Sequence, residues 1–370
     1  MELKNIFNIF DMNKKIKYPS LFKIKSCYFL KKLYNILKRS KILDIIKYNK
    51  KSQKILNVNI KNYKEYSENF TPIEIEIKLL KNIRHFINIS KKELSFYHTY
   101  TIDDKKETAD DKIKIIKIII DYEIKSFENL FRNCLIRDIC FKKFYRTDIN
   151  NMSYMFYGCS ELESVNLSNF NTEKVIDMSH MFEKCSLLKT LDLTSFKTKN
   201  VINMDNMFDN CSSLKSLDLS NFDTSNARNI ADMFARCYSM KSVNLSSFDT
   251  KNIIDMNNVF SRCKSLESID LSSFDTKNVI EMHCMFEGCE KLKLIDLCSF
   301  DTKNVIDMRF IFRGCKSLES IDLSSFDFKN CIDVTDAFYG CESIKKILIK
   351  KKYEYKFKNN THLKKLNFLY

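Results

Sequence analysis

MSYMFYGCSELESVNLSNFNTEKVIDMSHMF (152–182) opens on Met-Ser-Tyr-Met-Phe and closes on Met-Ser-His-Met-Phe, so a single pattern begins again before the stretch ends. Working outward, a cysteine recurs at 159, 185, 211, 237, 263, 289, 315 and 341, every interval being 26 residues. A phenylalanine ladder runs in step at 156, 182, 208, 234, 260, 286, 312 and 338, and a second at 170, 196, 222, 248, 274, 300 and 326. Self-similarity at a fixed period of this size marks stacked supersecondary units, none of which can bury its apolar face alone. The repetition covers 154–349 and outranks length as a guide, since 370 residues would otherwise allow two or three ordinary domains.

Within a unit the hydrophobic period changes. In LESIDLSSF (266–274), Ile269 and Leu271 are spaced by two, as in a short half-buried strand. In VIDMSHMFEKC (175–185), Val175, Met178, Met181, Phe182 and Cys185 fall at offsets of 0, 3, 6, 7 and 10, which predicts a short helix. Asp or Thr of the recurring FDT triplet would cap its start. The four glycines, 158, 288, 314 and 340, each stand immediately before a ladder cysteine, where that helix would stop. Lys184, Asn210, Arg236 and Arg262 occupy the same place elsewhere, so a left-handed residue there is not required of every unit.

The fold class that follows is an α/β repeat solenoid of leucine-rich-repeat-like type, with 26-residue units of strand, turn and short helix and a parallel sheet, preceded by a small mainly helical N-terminal region. The chain divides into a basic helical or mixed region with linker (1–111), atypical capping rungs (112–153), the repeats (154–349) and a basic C-terminal cap or tail (350–370). In the capping segment, LFRNC (130–134) precedes Ile136, Ile139, Phe141 and Phe144, which keep the strand register. At the other end Ile344, Ile347 and Ile349 form the expected last strand, and the lysines of KKYEYKFK after it would discourage edge pairing.

Composition supports an ordered core, with 44% hydrophobic and 13% aromatic residues. The net charge of +15 sits entirely in residues 1–150, which hold 33 Lys and Arg against 18 Asp and Glu. Lysine accompanies isoleucine and asparagine throughout, a chain-wide bias with no basic-aromatic platform, so no nucleic-acid partner is expected. MELKNIFNIFDMNKKIKYPS (1–20) lacks the order of a secretory signal, and no run reaches the roughly 18 apolar residues of a membrane span. A cytoplasmic chain without an integral membrane segment is the expectation.

The units closely resemble the BspA-type leucine-rich repeat family, whose repeats read like MFxxCxxLxxLDLSxFDTSxVTDMSxMF. The resemblance covers about 154–349 and nothing before about 112. It implies a protein-binding solenoid, often at the surface of bacteria or of parasitic and commensal microbes, where some members are adhesins. The cell surface is therefore the alternative localisation.

The candidate chemistry is sparse. The ladder cysteines show no C-x₂-C pairing and read as small buried hydrophobes, not as metal ligands or disulfide partners. His283, Cys284 and Cys298 break the repeat at polar positions and pose a metal or redox question, for which drift at semi-exposed sites is the simpler answer. The residue between the two inward strand positions is Asn166, Asp192, Asp218, Asn244, Asp270, Asp296 and Asp322, which alternation turns outward as a polar to acidic binding stripe. No catalytic set, phosphate loop, metal site or cofactor site is expected, so the chain reads as a non-enzymatic protein-interaction scaffold. The alternatives are a microbial surface adhesin-like protein or an adaptor recruiting through its N-terminus. Residues 26–60 place Leu30, Leu33, Ile36, Leu37, Ile42, Ile45 and Ile46 at helical spacing. That segment resembles an F-box in length and placement but lacks the Leu-Pro opening; a basic interfacial helix or a small docking cap are the other readings.

Overall fold

The computed structural model describes residues 73–80, 97–101, 113–120, 124–357 and 367–369. All lie within one compact unit, Pro72–Tyr370. The helices expected over 26–60, with the F-box and membrane readings built on them, fall outside the described residues.

IEIEIKLL alternates apolar and charged residues, and it forms a strand, β1 (Ile73–Leu80), with Ile73, Ile75, Ile77 and Leu79 buried. On the opposite face Glu74 pairs with Lys143 at 2.6 Å and Lys117 at 2.9 Å. β1 lies antiparallel between β3 (Ile113–Ile120) and β4 (Ile136–Lys143); β2 (Tyr97–Thr101) flanks β3, and β5 (Ser164–Asn166) runs parallel beside β4. β4 is thus the hinge between an antiparallel cap and the parallel stack. Without β1 its outer edge would offer a row of free N–H and C=O groups. One correction follows: the boundary placed at 111/112 does not separate two regions, because β1 and β2 pair with β3 across it.

Beyond β4 the chain is a stack of turn-rich units. The strand segments pair as β6 (Ser216–Asp218) with β7 (Ser242–Asn244), and β8 (Ser320–Asp322) with β9 (Lys346–Leu348), all parallel. The uninterrupted ladder lies elsewhere. Ser126, Asn151, Asp177, Asn203, Asn229, Asp255, Glu281, Asp307 and Asp333 are joined, each to the next, by parallel bridges. Apart from Ser126 and Glu281, these are the Asp and Asn that close the N-V-I-D motif, in which Asn200 and Ile202 point out while Val201 is fully buried.

The short helix expected over VIDMSHMFEKC is absent, and this is the main correction to the unit's architecture. The segment is a run of consecutive turns closed by bonds to the third residue back, such as Met181 N–H to Met178 at 3.3 Å and Cys185 N–H to Phe182 at 3.0 Å. Alternate N–H groups reach the next unit instead: Met178, His180, Phe182 and Lys184 donate to the carbonyls of Asn203, Asp205, Met207 and Asp209 at 2.8–3.0 Å. The reason is spacing. Parallel strands stack about 4.8 Å apart, whereas helices need about 8–10 Å, so a wall built at strand spacing has no room for helices. Each unit holds two left-handed residues four apart, Tyr154 with Gly158, His180 with Lys184, and so on to Asp336 with Gly340. The place before the ladder cysteine is therefore left-handed in every unit, glycine or not. Strain of about 1–2 kcal/mol at a non-glycine residue is offset, in every unit but the last, by the bond its N–H donates to the next unit.

Between the walls the core is columnar. Phe156, Phe182, Phe208, Phe234, Phe260, Phe286, Phe312 and Phe338 stack with centroids 5.3–5.9 Å apart and planes within 15°. The ladder cysteines are buried, and each thiol donates to a phenylalanine carbonyl of the preceding unit, as Cys237 does to Phe208 at 3.2 Å. Burial pushes these thiols up, to about 12 for Cys263. Thr224 and its equivalents are buried too; its hydroxyl donates to Asp249 C=O at 3.0 Å and accepts Asp249 N–H at 2.9 Å. The FDT threonine thus ties unit to unit instead of capping a helix.

At the far end Tyr353 and Phe357, on a 3₁₀ helix (Lys351–Phe357), close over Phe328, with ring centroids 5.5 and 5.4 Å from it. The expected last strand, β9, is not the last: β10 (Asn367–Leu369) pairs parallel beside it. Lys351, Lys352 and Lys356 lie on the 3₁₀ helix and not at the pairing edge, so they do not prevent this addition.

Candidate functional site

The expected stripe is exposed at all seven positions, Asn166, Asp192, Asp218, Asn244, Asp270, Asp296 and Asp322. Each has a local task. Oδ1 accepts the N–H two residues on, from 2.8 Å at Asp322 to 3.2 Å at Asn244, closing the turn that ends the strand segment. That is why Asp and Asn interchange: both carry the acceptor. The backbone bond holds the carboxyls of Asp192, Asp218, Asp270 and Asp296 below the usual range.

Uniformity along the stripe contrasts with variation on the turn wall. One column there reads Tyr154, His180, Asn206, Asp232, Asn258, Cys284, Phe310, Asp336. At its N-terminal end His180 stacks on Tyr154 with centroids 4.2 Å apart, and Arg132 lies 5.0 and 4.7 Å from the rings of Tyr154 and Tyr157. Both imidazole nitrogens are held, Nδ1 by Glu183 at 2.5 Å and Nε2 by Asp205 at 3.1 Å. Burial works against the cation, but the bonds to Asp205 and Glu183 prevail and raise the His180 pKa from 6.5 to about 9.

A group whose folded pKa is raised contributes its full stability below its ordinary value and loses it as pH climbs through the folded value. His180→Asn is therefore expected to cost about 1–2 kcal/mol at pH 6 and much less above pH 9. A deficit that stays constant across paired urea titrations over this range would refute the clamp.

The third feature lies on the N-V-I-D motif, outside the stripe expected from the sequence. Lys174, Asn200, Asn226, Asn252 and Asn278, with Ile176, Ile202, Arg228, Ile254 and Ile280, line a groove of about 840 Å³ that crosses five units. The isoleucines are well exposed and continue through Ile306 (37%) to Ile332 (82%). Each asparagine donates Nδ2 to a carbonyl of the preceding unit, as Asn252 does to Ser225 at 2.7 Å and Asn278 to Lys251 at 2.6 Å. One carboxamide oxygen per unit remains as an acceptor at the groove wall. The signal was the alternation itself: Asn out, Val in, Ile out is a strand pattern, overlooked because Val175 also fits the helical offsets of the residues after it.

Cys284 is half-buried and Cys298 exposed; no contact among the described residues brings them together. Among the described residues, no helix is long and apolar enough to cross a membrane.

Comparison with known families gives two successive matches to the model described as Mycoplasma protein of unknown function, DUF285, over residues 125–244 and 232–351. No curated protein matches the chain.

Proposed function

Since the chain belongs to the family described as Mycoplasma protein of unknown function, DUF285, whose description names no activity, we propose its function from the geometry: a non-enzymatic protein-interaction solenoid of leucine-rich-repeat-like type. Its repeats resemble the BspA type, and the Asn/Ile groove, more than the Asp/Asn stripe, is the binding surface. The observation that carries this is the isoleucine column. A solvent-facing position with no packing role is expected to be polar, yet it is Ile in six of the seven units from 176 to 332, Arg228 being the exception. Contiguous exposed apolar surface marks interaction sites.

The partner has matching chemistry: an extended polypeptide segment whose apolar side chains lie on the isoleucines while its backbone N–H groups reach the asparagine oxygens. Lys174 and Arg228, the charged residues lining the groove, favour an acidic segment. Enzymatic readings find little support. The described histidine best placed for proton transfer, His180, has both nitrogens occupied, and the ladder thiols are buried and held protonated. The test is affinity capture with the full chain and with an Ile202→Asp/Ile254→Asp variant of unchanged melting temperature. A partner captured by the wild type should bind the variant at least about tenfold more weakly, a loss of roughly 1.4 kcal/mol. Equal affinity would remove the groove from consideration.

A further inference from the structure

We propose that Glu281, His283 and Asp307 form a binding site for one divalent transition ion of the zinc class, clamping two neighbouring units together. Their ligand atoms lie within 4.8 Å of one another. His283 Nδ1 is closed off from solvent and makes no hydrogen bond. Its nearest carboxylate oxygen, Asp307 Oδ2, is 3.8 Å away, which is too far for a hydrogen bond. Two ligand atoms each about 2.1 Å from a tetrahedral ion would stand about 3.4 Å apart, so a small approach brings this pair to coordination.

The sequence departs from its own rule at this place. The bridging ladder carries Asn or Asp at 151, 177, 203, 229, 255, 307 and 333, and Glu at 281 alone. The shorter side chains accept the N–H two residues on, as Asp255 does from Asn257 at 2.9 Å. In the 281 unit that N–H, from His283, turns to Asn257 Oδ1 at 2.9 Å, so Glu281 is released from the turn. Within three residues the chain thus loses a structural acid, gains a longer one and places an imidazole beside it.

Arg309 is the competitor, forking onto Asp307 with Nε 2.9 Å and Nη2 2.6 Å from Oδ2. Its side chain is 45% exposed and already 3.8 Å from Asp333, which gives it another partner once an ion takes Asp307. One imidazole nitrogen and two carboxylate oxygens suit zinc and its neighbours, whereas calcium prefers all-oxygen shells. Water completes the shell.

The test is calorimetric titration of the full chain with Zn²⁺, and visible absorption of bound Co²⁺, in a Cys298→Ser background that removes the exposed thiol. One ion per chain is expected. His283→Ala and Asp307→Asn should each weaken binding at least about tenfold; the asparagine keeps the turn acceptor, as Asn203 and Asn229 do in their own units. Glu281→Gln, which keeps side-chain length, should weaken it in the same direction, while Arg309→Ala should tighten it. Absence of binding, or binding indifferent to His283→Ala, would overturn the site.

Discussion

Phe234→Ala is expected to lower the unfolding free energy by about 3–5 kcal/mol, read from urea midpoints at an unchanged m-value. Phe234 is 1% exposed, and its ring lies between Phe208 at 5.7 Å and Phe260 at 5.5 Å, nearly parallel to both. The cost reaches the upper part of the range only if the cavity cannot collapse, and the backbone prevents collapse. Phe208 N–H donates to Met233 C=O and Phe234 N–H to Val259 C=O, both at 2.9 Å, so neighbouring units are already at bonding distance and cannot slide inward. Phe338→Ala is the informative comparison. One face of its ring meets Phe312 at 5.5 Å, but its other ring neighbour, Phe357, is the last residue of the terminal 3₁₀ helix and can relax toward the gap. A smaller loss at 338 than at 234 is the expected order. A loss below about 0.5 kcal/mol at 234, the scale of a surface substitution, would mean that the ladder is not a core.

The ladders were legible because burial repeats wherever the period does. Cys159, Phe156, Leu162, Leu167 and Phe170 and their equivalents are inside almost without exception. Conformation was harder to read. Met178, Met181, Phe182 and Cys185 fit a helical stripe, and they are indeed all buried, but the same offsets arise from a run of turns with left-handed residues interposed. No composition rule places Tyr154, His180 or Phe310 at positive φ; only the demand that alternate N–H groups reach the next unit does so. The Asp/Asn stripe had its clue in the interchange of the two residues, which indicates a shared Oδ1 acceptor more than a shared charge. The added strand β10 was hidden for another reason. Asn367–Leu369 carries no repeat signature, and an edge of backbone groups pairs with any extended segment that reaches it.

Variation and uniformity also divide the surface. Positions serving the stack repeat from unit to unit, and departures gather on the turn wall, where Asp209 stands between Glu183 and Ala235, Asp232 between Asn206 and Asn258, and Arg236 between Asn210 and Arg262. Departures of this kind put charge where the fold does not need it, and their energetic cost is the reason to test them.

Arg236→Gly should cost about 2–3 kcal/mol near neutral pH, and the deficit should shrink on acidification. Asp209 is 1% exposed, its Oδ1 meets no partner, and its Oδ2 is paired with Arg236. Burial raises its pKa above the ordinary 3.8, with the guanidinium opposing. Removing that guanidinium leaves burial less opposed, so the carboxyl titrates higher still. A carboxyl raised in the folded state favours folding when protonated, so the stability it contributes falls as pH rises above its ordinary value. The variant's deficit is therefore largest at pH 7–8 and fades toward pH 4. Glycine is the appropriate replacement because Arg236 is left-handed at φ 59°, and Gly288, Gly314 and Gly340 hold the same place in later units, so the backbone is not strained by the change. Asp209→Asn in the same chain should recover most of the loss by removing the unpaired charge. A deficit independent of pH, and not relieved by Asp209→Asn, would show that Arg236 acts through the packing of its aliphatic stem and not through its charge.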